Sequence, residues 1–373
     1  MLMMALLKLL NEVNNLKTYH CIEVKSAKHK KMFLDLPSRI YLDGDNPQNY
    51  KTEKQILNVT HPISSDIEVF PYLILDCENR PICRCLMTYY KDDPVAYVGF
   101  FESFHDAGAV KTMLLFVERK AKEDGKTKLL GPIDCSIYIN YRFKIDRFDK
   151  TYTSEPYNKK YYKDLWEKAG FEVCDKYVSN QLRRVEKEDI DERLRKIYDR
   201  YEKKNYEFLS PTKELFDEYL SDVYDLMMKL YSNFSGFKML TKEQFLTMYM
   251  PLQDVMNFDM VKLVYNADAK LCAFCICLPN YGDLTLGKLT LSKIRKIKKI
   301  KKEPTEYVVL YLGADTDSIG LGGALIHYVR NLLYKNGCTS IGALIHEGNV
   351  TGRMYEDLYT DQFNYVLMSK SIA

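Results

Sequence analysis

A chain of 373 residues is too long for one ordinary domain and long enough for two, each with its own core. Its hydrophobic content of 46% and charged content of 28% are those of a folded soluble protein, and a formal charge of +3 is too small to imply bulk nucleic-acid binding, so any basic site must be local. The ten cysteines include Cys83-Arg84-Cys85 and Cys272-Ala273-Phe274-Cys275-Ile276-Cys277, inside apolar runs rather than in paired metal knuckles; this predicts small buried thiols and no metal.

In chain order, MLMMALLKLL is short, interrupted by Lys8 and followed by polar residues, which predicts a packed helix in an N-terminal extension (1–23) rather than a signal peptide. No apolar run long enough to span a membrane follows, so the expected address is cytoplasmic. From Val95 to Ile133 the periodicity changes from strand to helix to strand. The same order returns from Tyr307 to Ile345, with a glycine opening each helical stretch (Gly108, Gly320) and another stopping it (Gly125, Gly337) at identical separation. This is a repeated βαβ unit, which joins parallel strands and presents a ligand beyond the carboxyl end of its first strand.

Between the copies, Val185 to Asn205 is charge-dense and helical in pattern. It sets a boundary near Glu188, with domains at 24–187 and 188–373. A long amphipathic helix capped at Ser210 or Thr212 and a hairpin turning at Asn266-Ala267-Asp268 follow. From Lys293 to Lys302 seven cations alternate with Ile294, Ile297 and Ile300. As a helix, this suits an anionic membrane, an acidic carrier protein or a CoA phosphate, with Lys296, Lys298, Lys299 and Lys301 as contacts; as a loop it is only solvated charge. The 30 tyrosines show no periodicity and carry little information.

FLDLPSRIY (33–41), VGFFES (98–103), GPID (131–134), YNKKYYKDLWEKAGF (157–171), GFKMLTKEQF (236–245) and FCICLPNYGD (274–283), in this order, resemble tandem-domain GNAT proteins of bacteria related to ceramide synthases. The resemblance implies an α/β (α+β) chain of two GNAT-like domains. It also implies transfer of an acyl group from acyl-CoA, or acyl carrier protein, to an amine, a small molecule or a lipid base. Two other readings stay open: a Fem-like transferase using aminoacyl-tRNA, which salt-sensitive tRNA retention would reveal, and a non-catalytic acyl-CoA-binding protein.

The turn Asp317-Ser318-Ile319-Gly320-Leu321-Gly322-Gly323-Ala324 is the candidate pyrophosphate cradle, because glycines free backbone N–H groups at a helix N-terminus. Gly320 and Gly322 fit the superfamily pattern, whereas Asp317 stands where Arg or Gln is usual. The first copy offers only His105-Asp106-Ala107-Gly108-Ala109, which predicts a degenerate site. The resemblance places Asn349 on the pantetheine arm and an acidic tyrosine seven residues later; that position is Glu356, so Tyr355, one place out of register, becomes the candidate acid. His346 and Glu347 are candidate bases at the strand end, with Glu306 and Tyr311 equally placeable on the preceding strand.

Overall fold

The computed structural model describes residues 19–42, 44–348 and 355–372, which form two compact units. The expected N-terminal helix and Asn349 lie outside the described residues.

The first unit comprises residues up to Cys135, the stretch Tyr161–Glu172 and the segment from Met368 onward. Its strands β1 (His20–Glu23), β2 (Ile67–Leu75), β3 (Pro81–Tyr90) and β4 (Val95–Ser103) pair antiparallel in sequence order. Strand β5 (Lys128–Gly131) then lies parallel to β4 and antiparallel to Met368–Ser371. Helices α1 (Ala27–Ile40), α2 (Tyr50–Leu57), α3 (Ala107–Glu123) and α4 (Tyr162–Lys168) complete it. Beside α1, the buried Arg84 forks onto both oxygens of Glu53, each at 2.7 Å, and donates to the Phe33 carbonyl at 2.9 Å. A buried charge needs this degree of satisfaction.

The second unit holds Ser136–Lys160 and Val173–Leu367. It contains β6 (Phe143–Lys144), β7 (Glu172–Leu182, from Val173 on), α5 (Glu192–Glu202), β8 (Glu207–Leu209), α6 (Phe216–Tyr231), α7 (Lys242–Tyr249), β9 (Val261–Tyr265), β10 (Leu271–Pro279), α8 (Leu291–Lys302), β11 (Glu306–Ala314), α9 (Leu321–Asn336), β12 (Thr339–His346) and the part of β13 (Tyr359–Ser371) up to Leu367. The sheet runs β13-β7-β12-β11-β10-β9-β8, with β6 on β13. Helix α6 begins at Phe216 without a side-chain cap, later than Ser210 or Thr212 would place it, because residues 210–212 leave β8 as coil. The hairpin forms as read, with the Asn266 carboxamide accepting from the Asp268 and Lys270 N–H groups. The Lys-Ile stretch is helical. Among the described residues, no helix is long and apolar enough to cross a membrane.

The two βαβ units repeat in detail. Val95 pairs with Lys128 in the first and Glu306 with Thr339 in the second, in parallel and at the same sequence separation. Both helices end at a left-handed glycine, Gly125 and Gly337. Both first strands carry an extra residue against their antiparallel neighbour: Leu86 pairs with Gly99 but Arg84 with Glu102, and Cys277 pairs with Val309 but Ile276 with Tyr311. Such a bulge bends a strand away from its ladder.

Candidate active site

After that shared bulge the two copies differ. In the first unit the gap beyond the β4–β5 ladder is closed by the chain itself. The Ile133 N–H donates to the Val98 carbonyl at 2.9 Å, and the Phe100 N–H donates to the Asp134 carboxylate. Gly99 makes this closure sterically feasible, since a Cβ there would overlap the Ile133 carbonyl. The N-terminus of α3 is likewise occupied. Asp106 caps it by accepting from the Ala109 N–H at 3.1 Å, and Tyr19 donates to the same carboxylate at 2.7 Å. A carboxylate seated on the helix end takes the place an anionic ligand would use.

In the second unit the ladder of β11 and β12 runs from Glu306↔Thr339 to Val309↔Gly342 and then stops. Leu310 is the bulged residue of β11, and β12 shifts register against β7 between Gly342 and Ile345. Leu344 sits within that shift at φ +58, its backbone held by other means. Its N–H donates to Ser179 Oγ at 2.8 Å, and its carbonyl accepts from Arg142 at 3.4 Å. The strands thus part, and a cavity of about 500 Å³ opens between residues 310–314 and 343–346. Its other walls come from Ile137–Arg142 and from helices α6 and α7, and six of its lining residues are tyrosines: Tyr138, Tyr141, Tyr231, Tyr249, Tyr311 and Tyr355.

At the carboxyl end of β11 the chain enters the glycine turn. Gly320, the N-cap of α9, is left-handed (φ +88) and provides no side-chain cap, in contrast to Asp106 in the first copy. Leu321 and Ala324 donate to the backbone at Ser318 and Gly320, whereas the N–H groups of Gly320, Gly322 and Gly323 reach no backbone carbonyl among the described residues. The first turn of a helix leaves N–H groups available in this way. Asp317 is not an isolated negative charge. Lys229 bridges Asp315 at 2.8 Å and Asp317 at 3.1 Å, and its hydrogen bond holds the Asp315 carboxyl below the usual range. A guanidinium is also present, because Arg200 on α5 reaches the Ile319 carbonyl at 3.4 Å beside Gly320.

Of the catalytic candidates, Tyr355, His346 and Tyr311 line the cavity. Tyr355 is 5% exposed, its hydroxyl has no hydrogen-bond partner, and burial raises its pKa well above the phenol range. His346 Nε2 lies 3.1 Å from Asp175, and its ring stands edge-on to Tyr177. Glu347 and Glu306 do not line the cavity: Glu347 is exposed beside Lys176, and Glu306 sits at the start of β11, bonded to Thr339 at 3.0 Å. Lys296, Lys298, Lys299 and Lys301 are on α8, also away from the cavity lining, and Lys301 donates to the Asp254 carbonyl at 2.7 Å.

A bulged strand, a helix crossing from it and a parallel partner strand recur in both units, and the mixed sheet they build has the fold of tandem GNAT structures. No family model and no curated protein matches the sequence. Among solved structures, the chain is similar to a tandem GNAT protein from the clavulanic acid biosynthesis pathway, at 10% identity and a TM-score of 0.52, over 95% of this chain and 99% of that one. It is also similar to a probable N-acyltransferase from Enterococcus faecalis, at 10% identity and a TM-score of 0.50, over 95% and 72%. A GCN5-related N-acetyltransferase from Anabaena variabilis gives 7% identity and a TM-score of 0.50, over 95% and 73%.

Proposed function

We propose that this protein is a GNAT-type N-acyltransferase whose working site is the cavity of the second unit. The observation that carries the reading is the parting of β11 and β12 directly before an uncapped, glycine-initiated helix. A pantetheine thioester fits this arrangement, its arm between the strands and, for acyl-CoA, its pyrophosphate on the N–H groups of Gly320, Gly322 and Gly323 with Arg200 alongside. The same arm on an acyl carrier protein would use the strands alone.

In the reaction the amine nitrogen forms the amide bond to the acyl carbon, and the C–S bond breaks with its electron pair on sulfur. His346, oriented by Asp175, takes the proton leaving the amine, and Tyr355 gives one to the thiolate. A buried phenol keeps its proton at neutral pH, so it is available when the thiolate forms. The turn-capping Asp106 and the closed wedge of the first unit support the reading that only the second copy binds donor. We further assign one GNAT copy to each half of the sequence about Glu188, with a lipid amine as acceptor, as in the ceramide-synthase-like branch.

Calorimetric titration with CoA tests the donor site. Gly322→Val is expected to weaken CoA binding at least about tenfold by shielding the helix N-terminus, whereas Gly108→Val, in the first copy, leaves it unchanged. The opposite pattern would exchange the working and closed copies.

Helix α8 suits delivery of an amphiphilic acceptor. None of its residues is buried, and Leu289 and Leu291 at its start are 57% and 75% exposed beside the cations. Each lysine near an anionic bilayer contributes about 1 kcal/mol, screened by salt. Wild-type protein is therefore expected to co-sediment with anionic vesicles at low salt. The variant with Lys296, Lys298, Lys299 and Lys301 changed to Gln should stay in solution; if that variant instead loses CoA or carrier-protein affinity, α8 belongs to the donor.

A further inference from the structure

Arg142 takes no part in the bond-making and proton-transfer steps above, yet it is the cavity's most unusual side chain. It is 4% exposed and its backbone is left-handed at φ +74, in contact with the equally unusual Leu344. Its guanidinium carbon lies 3.6 Å from the ring centre of Tyr141 and 4.0 Å from that of Tyr177. Rings over a planar cation leave its N–H edge as the surface for a ligand. That edge is incompletely used: Nη1 makes a long 3.4 Å bond to the Leu344 carbonyl, and Nε has no partner. Arg142 forms no ion pair among the described residues, and nearby Asp175 is engaged by His346. A buried cation without a carboxylate is costly. Backbone strain of this kind concentrates where a ligand is held.

The rest of the lining specifies what the cation faces. Among the described residues it contains no aspartate or glutamate to pair with the ammonium group of an amine substrate. The one permanent charge among the described residues of the lining is positive. An amine entering such a cavity is driven to its neutral, nucleophilic form, because a nearby cation and low polarity both disfavour ammonium.

We propose that Arg142 is a specificity residue for an acceptor that carries an anionic oxygen group, carboxylate or phosphate, in addition to its amine. The guanidinium edge binds that group and so orients the nitrogen. This inference rests on the acyl-transfer reading, and one experiment separates the two. CoA and a matched set of amides, N-octanoylglycine, N-octanoylethylamine and N-octanoyl-phosphoethanolamine, are titrated calorimetrically into wild type, Arg142→Gln and Arg142→Lys.

At least one anionic amide is expected to bind wild type tenfold or more tighter than the neutral one. The difference should vanish in Arg142→Gln and survive in part in Arg142→Lys, and CoA titrated into both variants reads whether the Leu344 kink that Arg142 also contacts is kept. Carboxylate and phosphate sources are told apart by which anionic amide leads. If wild type binds CoA but shows no anionic preference, or if the preference persists in Arg142→Gln, the role of Arg142 is refuted and the donor site stands. If CoA itself does not bind, the acyl-CoA reading fails first. The comparison within wild type holds even if the Gln variant does not fold.

Discussion

Lys144→Met is expected to lower the unfolding free energy by about 3–5 kcal/mol, the largest stability effect of any single change considered. The Lys144 ammonium lies 2.8 Å from Glu155 with both side chains fully buried, and it also donates to the Lys150 carbonyl at 2.6 Å. Burial lowers the lysine pKa and raises that of the glutamate, while each partner opposes the other's shift. Removing the lysine leaves a carboxylate in the interior, accepting only from neutral donors such as Tyr365 at 2.6 Å. The double variant Lys144→Met/Glu155→Gln should be less destabilised than Lys144→Met, since Gln removes the stranded charge and still accepts from Tyr365. Denaturant unfolding of the three proteins decides it. A single variant within 1 kcal/mol of wild type, or a double variant worse than the single, would show that the pair does not carry this energy.

The second large effect is on turnover. Tyr355→Phe is expected to reduce kcat by about 10²-fold, the lower end of what a positioned general acid supplies. It should leave CoA affinity unchanged and should not lower Tm. The hydroxyl is buried without a partner, and removing an unsatisfied polar atom relieves a desolvation cost of about 1–3 kcal/mol. Lost activity with retained or raised stability marks a group kept for chemistry. Unchanged turnover with a lower Tm would make Tyr355 a packing residue.

Much of the architecture is legible in the sequence because the signals are local. The periodicities at 95–133 and 307–345 and the matched glycines give both βαβ units, and the glycine turn is visible as such. What opens the cavity is not local. Gly342-Ala343-Leu344-Ile345 reads as plain strand, and its kink is held by Ser179 and Arg142, both far away in the chain. Arg200, which stands at the turn that lacks its own arginine, is remote for the same reason. The tyrosines lack a period because those on the cavity come from separate loops, helices and strands. Strand position alone could not choose among His346, Glu347, Glu306 and Tyr311. The parting of β11 from β12 brings two of them, His346 and Tyr311, to the cavity.

Strand β13 has a consequence for how the molecule is made. Residues 359–367 count toward the second unit, and Met368–Ser371 supply the strand that covers β5 in the first. On the ribosome the first unit is therefore synthesised early but must wait, with β5 unpaired on that side, until those late residues emerge. An exposed strand edge held open for that interval is a natural client for a chaperone.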